Sequence, residues 1–413
     1  MLKQLILENW KSFRYAELPL DPLTVLIGTN ASGKSNVVEA LEFLQRIARG
    51  ENIEAALAGD KTLPSIRGGV EWAAKNGEKE FTLKILVADN DGKVDYLYRI
   101  TLKTKPTINS LTERITIFQD DHEYFPIEFG LSGDKFSARS SLLNRNDFYG
   151  LPLYFIESNF LSEPSKKESY QSNYFKKNSV KIINNIILPT IENILVLNPV
   201  PYKMRDYSRL SDKLESDGSN IAGVLAALDG EQKAKVESTL SAYIKDLPEG
   251  DIKRVFAEPV GRLKTDAMLY CEEEWKPGEM TLIDAKTMSD GTLHFIAIIT
   301  ALLTRPEGSQ LVIEEIDNGL HPSRAGLLVR ILREIGSKRK IDILLTTHNP
   351  ALLDALGPEI VPFVVVAHRD SESGESKLTL LEDIENLPLL LASGTLGKLA
   401  TKGAIEKSLS DNK

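Results

Sequence analysis

The residues with the clearest chemistry are eight consecutive positions, Gly28 to Ser35, which read Gly-Thr-Asn-Ala-Ser-Gly-Lys-Ser. The two glycines let the backbone bend so that its N–H groups face a phosphate at a helix N-terminus, where the helix dipole also favours negative charge. Lys34 is expected to reach the β- and γ-phosphates of a nucleoside triphosphate, and the Ser35 hydroxyl to bind Mg²⁺. The predicted phosphate-binding residues are Gly28, Asn30, Ala31, Ser32, Gly33, Lys34 and Ser35.

Two consecutive carboxylates end an apolar segment 280 residues later (314 − 34), in Leu311-Val312-Ile313-Glu314-Glu315. A site that hydrolyses a nucleotide needs one acid to hold the Mg²⁺ shell and another to polarise the attacking water. Because side chains alternate along a strand, consecutive acids at its end can take different tasks. We therefore assign Glu314 to the metal shell and Glu315 to the general base.

A histidine and a Ser-Asp-Gly turn complete the set. His348 follows the apolar segment 341–346, and ligands of open α/β sheets bind at the carboxyl ends of strands, so its imidazole is placed to sense a γ-phosphate. Ser289, Asp290 and Gly291 precede a helical run. Ser289 or Asp290 is expected to cap that helix, and Gly291 to let an anion approach its N-terminus closely.

These residues require strands and helices that position them. Short apolar segments at 23–27, 311–316 and 341–346 predict strands, and the helical patterns between them indicate a buried parallel sheet. Alternation over 81–87 and 94–102 predicts a β-hairpin, with a further strand over 114–118, in a separate antiparallel subdomain.

The middle of the chain has a helical pattern from about Ser162 to Tyr243. An isoleucine-rich stripe begins at Ile182, is interrupted by Pro189 and is expected to continue through Ile191, Ile194 and Leu195. The predicted fold class is α/β, a P-loop fold with a parallel core sheet, an antiparallel β subdomain and a helical insertion. The predicted domains are residues 1–160, 161–250 and 251–413.

Composition excludes several classes of protein. Apolar residues make up 42% and charged residues 26% of the 413 residues, as in a globular protein with a sizeable core. The single cysteine, Cys271, excludes an intrachain disulfide and fits a reducing cytoplasm. No apolar run approaches the roughly 20 residues of a membrane span. The net charge of −9 argues against wholesale coating of nucleic acid, although a local basic groove stays open.

The order of these motifs resembles the ABC-type ATPase heads of the SMC, RecF and overcoming-lysogenization (OLD) class. The resemblance runs from Asn9-Trp10-Lys11-Ser12-Phe13 through Ala351-Leu352-Leu353. It implies that Met288 to Thr292 is the signature that contacts the γ-phosphate held by an opposite protomer. It also implies that Asn318 to His321 is the D-loop and that His348 is the switch histidine. Two heads would then enclose two ATP molecules, so a homodimer or higher oligomer is expected.

The chain is also similar to the short prokaryotic "AAA family ATPase" proteins of anti-phage systems, through Leu214 to Ala222 and Glu314 to Pro322. It departs from the wider class at the Q-loop, where Glu157 or Asn159 stands in place of a glutamine. It ends 65 residues after His348 (413 − 348), too soon for the TOPRIM nuclease domain that OLD-type proteins carry there.

The leading hypothesis is therefore an ATP- and Mg²⁺-dependent head that controls a separate effector, a nuclease or toxin, in anti-phage defence. The alternative is a RecF-like, ATP-dependent DNA-binding protein, and direct DNA binding is possible under either hypothesis. Glu315 disfavours a clamp that hardly hydrolyses ATP. A transporter ATPase is also disfavoured, because this sequence shows no recognisable surface for docking a membrane partner.

Overall fold

The computed structural model describes residues 1–61, 63–89, 91–108, 110–119, 122–132, 182–248, 250–318 and 321–411. The chain divides into two compact units. The first unit comprises Met1–Leu20, Asn30–Ile194 and Ala367–Leu378. The second comprises Asp21–Thr29, Leu195–Val366 and Thr379–Lys413. The glycine-rich loop therefore starts in the second unit and continues into the first.

Strands and helices are numbered in chain order. The strands are β1 (Leu2–Trp10), β2 (Phe13–Pro19), β3 (Leu23–Ile27), β4 (Glu80–Ala88), β5 (Val94–Lys103), β6 (Ser110–Gln119), β7 (His122–Ser132), β8 (Ile194–Leu197), β9 (Ser208–Arg209), β10 (Ile252–Val260), β11 (Asp266–Lys276), β12 (Glu279–Asp284), β13 (Gln310–Ile313), β14 (Asp342–Thr346), β15 (Val364–Arg369) and β16 (Ser376–Leu380). The α-helices are α1 (Lys34–Ala48), α2 (Ile53–Ala58), α3 (Leu188–Glu192), α4 (Ile221–Ala227), α5 (Gly230–Lys245), α6 (Asp290–Thr304), α7 (Ala325–Arg339), α8 (Pro350–Leu356), α9 (Leu387–Ser393), α10 (Leu396–Thr401) and α11 (Ala404–Asp411).

The first unit contains an antiparallel sheet in the order β2-β1-β4-β5-β6-β7. The predicted hairpin is β4 and β5, in which Phe81 pairs with Leu102 and Leu83 with Ile100. These side chains are buried, because alternate positions of both strands face the same core. The predicted antiparallel subdomain is confirmed, and it also includes the N-terminal hairpin β1–β2.

Three aromatic side chains attach α1 to this sheet. The ring centroids of Trp10 and Phe81 lie 4.8 Å apart in an edge-to-face arrangement, and Phe43 of α1 lies 5.8 Å from Phe81. The Trp10 indole N–H also donates to the Asn36 carbonyl at 2.7 Å. The start of α1, and so the end of the glycine-rich loop, is thereby held in the first unit.

A second sheet has the order β16-β15-β3-β14-β13-β8. Strand β14 pairs in parallel with β3 on one side and with β13 on the other, and β15 pairs in parallel with β3. Its central strands are buried apart from the half-buried Leu23, which is why they read as continuous apolar runs in the sequence. The predicted parallel core sheet is confirmed.

A third sheet, the antiparallel meander β10-β11-β12 with β9 beside β11, lies in the second unit. We did not predict it. Consecutive acids at 272–274 interrupt the alternation of β11, and β12 exposes Met280 and Leu282. The alternation of apolar and polar residues that predicts a strand is therefore absent here.

The described part of the predicted helical segment, 182–248, is mainly helical. Ile183–Ile187 forms a π-helical turn, and Pro189 lies in the first turn of α3, where proline is tolerated. The predicted continuation of the stripe is wrong at Ile194 and Leu195, which lie in the buried strand β8. A short apolar run fits a strand or a helix equally well, so periodicity does not distinguish the two for residues 194–197.

Residues 133–181, which include the predicted boundary at 160, lie outside the described part of the chain. The predicted boundaries at 160 and 250 both stay predictions. Searched over the described ranges, the chain has no helix with the length and apolar character to cross a bilayer.

Candidate functional site

The glycine-rich loop links the end of β3 to the start of α1. Three of its residues have backbone angles in or near the left-handed region, with φ of 143° at Gly28, 62° at Ala31 and 113° at Gly33. Gly33 is the N-cap of α1 and makes no side-chain capping bond. The first turn of α1 is thus directed at the loop through its backbone amides, which is the arrangement that binds phosphate.

Position 33 requires glycine because neighbouring side chains leave no room for a Cβ atom, as well as because of its backbone angle. A Cβ atom at this position would lie 2.8 Å from Phe13 Cζ and 2.8 Å from Ser376 Oγ. Contacts that short are not tolerated between carbon and its neighbours, so any larger residue displaces the loop or the two side chains beside it.

The loop is supported within the first unit by segments from both ends of the chain. Arg369 Nε donates to the Ala31 carbonyl at 2.9 Å. Ser12 Oγ accepts from Asn36 Nδ2 and from Ser376 Oγ, each at 2.7 Å. Sequence reasoning missed Arg369 and Ser376, because Ser376 is 364 positions from Ser12 and neither residue belongs to a motif.

A cavity of about 690 Å³ opens beside the loop, also within the first unit. Four cationic side chains line it: Lys11, Arg67, Lys75 and Arg369. Glu375 pairs with Lys75 at 3.0 Å, and Lys11 forms a buried ion pair with Glu39 of α1. Burial lowers the pKa of Lys11, opposed by its hydrogen bond to Glu39. The cavity therefore has an excess of cationic side chains and is adjacent to the predicted phosphate loop.

The predicted acids follow β13 in the second unit. Glu314 is half-buried, and its N–H donates to the Leu197 carbonyl of β8 at 3.2 Å. Glu315 is exposed and has a φ of 48°, which is uncommon for a residue other than glycine. The chain thus turns sharply between the two carboxylates and leaves the second one open to water.

The buried Thr346, the last residue of β14, holds this turn in place. Its Oγ accepts from the Glu315 N–H at 2.7 Å, and its carbonyl accepts from the Ile316 N–H at 3.1 Å. Two hydrogen bonds from one residue therefore fix the left-handed conformation of Glu315. We did not identify Thr346 from sequence, where it is one more residue of an apolar strand.

His348 is exposed immediately after β14. The preceding Thr347 extends the ladder to β3 through its N–H, which donates to the Leu26 carbonyl at 3.3 Å. The Thr347 hydroxyl donates to Asp317 Oδ1 at 2.5 Å and accepts from the Asn349 N–H at 3.0 Å. The turn that carries His348 is therefore joined by hydrogen bonds to the turn that carries Glu315.

Strand β14 lies between β3 and β13, and all three are parallel. Their carboxyl ends share one edge of the sheet, which brings together Gly28, the two glutamates and His348 in the second unit. The remaining predicted phosphate-binding residues, Asn30 to Ser35, belong to the first unit. The predicted functions of all these residues stay predictions.

The Ser-Asp-Gly turn begins a helix and does not follow a strand of the parallel sheet. Ser289 is the N-cap of α6, and its Oγ accepts from the Thr292 N–H at 3.1 Å, so the cap is Ser289 and not Asp290. Asp290 instead pairs with Arg205 at 2.6 Å. One turn further on, burial lowers the pKa of His294 to about 4, an effect that the backbone of Ile316 partly opposes.

Two other predicted elements lie wholly or partly outside the described residues. Glu157 and Asn159, the candidates for the Q-loop position, lie outside the described residues, as do residues 319 and 320 of the expected D-loop. At the ends of that loop, the Asn318 N–H donates to the Glu315 carbonyl at 2.8 Å. His321 Nδ1 accepts from the Ser323 N–H at 3.3 Å.

Residues 23–354 match the family model described as "AAA domain, putative AbiEii toxin, Type IV TA system". This match covers most of the chain and spans β3 through α8. The chain belongs to this AAA family. The predicted assignment to the ABC-type ATPases of the SMC class is confirmed by this match together with the sequence similarity to Smc.

A 97-residue segment of this AAA protein is 37% identical to the chromosome partition protein Smc of Mycobacterium tuberculosis. The segment is 23% of this chain and spans 8% of the length of that curated relative. Among solved structures, an Smc head bound to the C-winged helix domain of ScpA is 13% identical, with a TM-score of 0.49. That match covers 92% of this chain and 96% of the other. The SMC head domain from Thermotoga maritima is 16% identical, with a TM-score of 0.44, covering 92% and 98%.

Proposed function

We propose that this AAA protein binds ATP with Mg²⁺, hydrolyses it and forms a homodimer in the ATP-bound state. The observation that carries the proposal is the shared carboxyl edge of β3, β14 and β13, where an exposed, conformationally fixed Glu315 follows one strand and His348 another. Ligands of open parallel sheets bind at this edge. A carboxylate there can take the proton of an attacking water.

Each residue of the proposed site has a role that follows from its chemistry. The loop amides and Lys34 hold the phosphates, and the cationic cavity beside the loop receives the rest of the nucleotide. Ser35 and Glu314 offer a hydroxyl and a carboxylate, the hard oxygen donors that Mg²⁺ prefers. Bound Mg²⁺ neutralises phosphate charge during transfer. Glu315 acts as general base, and the His348 imidazole donates a hydrogen bond to the γ-phosphate.

Two variants test hydrolysis separately from binding. E315Q keeps the shape of the side chain but removes the base, so turnover should fall by about 10²–10⁴-fold with nucleotide affinity unchanged. K34A removes a charge-assisted contact, so affinity should fall by about 10- to 100-fold. The control is E307Q, at an exposed glutamate in the turn after α6. Normal turnover by E315Q would contradict the assignment of Glu315 as the general base.

A homodimer is proposed because the capped N-terminus of α6 presents backbone amides on a different element from the strands that carry Glu315 and His348. In a two-fold dimer, Ser289, Asp290 and Gly291 of one copy would meet the γ-phosphate bound by the other.

We further propose that the dimer controls a separate effector, a nuclease or toxin, in defence against phage. The family description, which names a putative toxin of a type IV TA system, supports a role of this kind. The test is purification of the tagged chain expressed from its own operon, with E315Q and ATP to hold the dimer. A second protein should be retained with E315Q and released by K34A. Purification of the chain alone under all conditions would contradict effector control.

The alternative is ATP-dependent binding of DNA, which the similarity to a chromosome partition protein and the cationic cavity both favour. It predicts DNA affinity that depends on ATP and falls steeply between about 50 and 200 mM salt, because phosphate contacts release counterions. Filter binding at two salt concentrations, with and without ATP, separates this function from effector control.

A further inference from the structure

An ion pair lies at the start of α6, at the proposed contact with the partner's nucleotide. Arg205 Nη2 and Asp290 Oδ1 are 2.6 Å apart. Arg205 is the last residue of the 3₁₀ helix Pro201–Arg205, and its side chain is 26% exposed against 69% for Asp290. Asp290 is the only acid with which Arg205 forms an ion pair in the part of the chain described here.

The position of Asp290 creates an electrostatic problem. A carboxylate in the first turn of a helix interacts well with that helix's own dipole. The same carboxylate repels a phosphate that approaches the helix N-terminus, and two like charges at short range disfavour binding strongly where water is excluded. Ser289, Asp290 and Gly291 are proposed to meet that phosphate together, so the carboxylate of Asp290 lies within the contact.

We propose that Arg205 is a positioning residue that neutralises Asp290 and holds its carboxylate aside, so that the N-terminus of α6 can accept the γ-phosphate of a second copy. The partner recognised at this surface is thus an ATP-loaded copy of the same chain. This inference rests on the proposed function. It adds that the signature needs a cation from outside its own segment, 85 positions earlier in the chain.

A purely structural role for Arg205 makes a different prediction. If the ion pair only fastens the 3₁₀ helix to α6, loss of Arg205 is harmful and removal of Asp290 does not restore what is lost. If Arg205 acts by neutralising Asp290, removal of the carboxylate makes Arg205 dispensable. Double replacement therefore separates the two roles.

The experiment measures ATP-dependent dimerisation in an E315Q background, by light scattering over a range of protein concentrations. R205A should weaken the dimer by about tenfold or more, because it leaves an unpaired carboxylate beside the phosphate. R205A/D290G should dimerise about tenfold more tightly than R205A, since the unpaired carboxylate is gone. ATP binding to the monomer and the melting temperature should not change. The control is K203A, which removes an exposed ion pair with Asp217 (3.0 Å) from the same 3₁₀ helix.

Each outcome has a distinct meaning. A parental dimer that R205A leaves unaffected would overturn this inference alone. So would a double variant as impaired as R205A, since that result assigns the pair to structure only. Absence of an ATP-dependent dimer in the E315Q parent would overturn the proposed function together with the inference that rests on it.

Discussion

The two units support their functional residues by different means. In the first unit, side chains from distant segments hold the backbone of the phosphate loop, with Arg369 on the Ala31 carbonyl and Phe13 and Ser376 packed on Gly33. In the second unit, main-chain ladders and two threonines hold the acids and the histidine at a sheet edge. Loop variants should therefore change nucleotide affinity, and edge variants should change turnover.

The largest effect is expected for G33A, which acts on the loop. The added methyl group meets Phe13 and Ser376 at 2.8 Å and sits on a residue with a φ of 113°. Displacement of the loop should weaken ATP binding by about 100-fold or more, since several phosphate contacts are lost together. Calorimetric titration with a non-hydrolysed ATP analogue measures the affinity.

The matched control for G33A is G50A, in the same unit. Gly50 also has a positive φ, 99°, but nothing lies within 4 Å of an added Cβ. G50A should lower stability by about 1 kcal/mol through backbone strain and leave affinity unchanged. Equal losses of affinity in the two variants would show that strain, and not the packing on Gly33, controls the loop.

A smaller effect, on turnover, is expected for T346V at the sheet edge. Valine keeps the shape of threonine but leaves the Glu315 N–H without its acceptor and releases the strained turn. The rate of ATP hydrolysis should fall by about 10- to 100-fold, with affinity nearly unchanged, because a misplaced base is less effective. Steady-state kinetics distinguish the two parameters.

T24V is the control for T346V. Thr24 is a buried threonine at the opposite end of the same sheet, and its hydroxyl also accepts a backbone N–H, from Asp21 at 2.9 Å. The T24V protein should lose as much free energy of unfolding as the T346V protein, but its rate of ATP hydrolysis should not fall. A T346V protein with normal turnover and weakened ATP affinity would break the contrast between loop and edge.

A third effect, smaller again, is expected for R369A. Arg369 makes one hydrogen bond to the loop carbonyl of Ala31, so its loss should weaken ATP binding by about three- to tenfold. R333A removes a comparable bond from an arginine to a main-chain carbonyl, that of Leu356, in the second unit. It should not alter ATP affinity, and an equal loss in both variants would indicate a general charge effect.

The smallest effect concerns stability alone. Burial raises the pKa of Asp342 at the start of β14 to about 6. A carboxyl whose pKa is raised by folding stabilises the fold below its unfolded pKa near 3.9 and loses that contribution as pH rises through about 6. D342N should therefore stabilise the protein by about 1–2 kcal/mol at pH 8 after allowance for solvent screening, and much less at pH 4. Urea unfolding at the two pH values tests this, and a gain at pH 4 equal to that at pH 8 would contradict it.

Contiguous features of both units were predictable from sequence. The loop from Gly28 to Ser35, the acids after β13 and His348 each occupy a short segment at the end of an apolar run, where local pattern determines position. The hairpin β4–β5 was predictable because its alternation is regular.

Features that depend on tertiary contact were not predictable. Arg369, Ser376, Thr346 and Arg205 act on residues between 31 and 364 positions away, and no local pattern marks them. The strand at Ile194 was mistaken for helix because four buried apolar residues carry no period.

The most direct test of a composite site is the mass of E315Q in solution with ATP and Mg²⁺. A composite site closed by a second copy predicts a monomer of 45.9 kDa without nucleotide and twice that mass with ATP. The double variant S289R/E315Q should stay monomeric while it still binds ATP, because the arginine side chain blocks the N-terminus of α6. A protein that remains monomeric with saturating ATP, or one that dimerises equally well without ATP and with S289R, would contradict a composite site closed by a second copy.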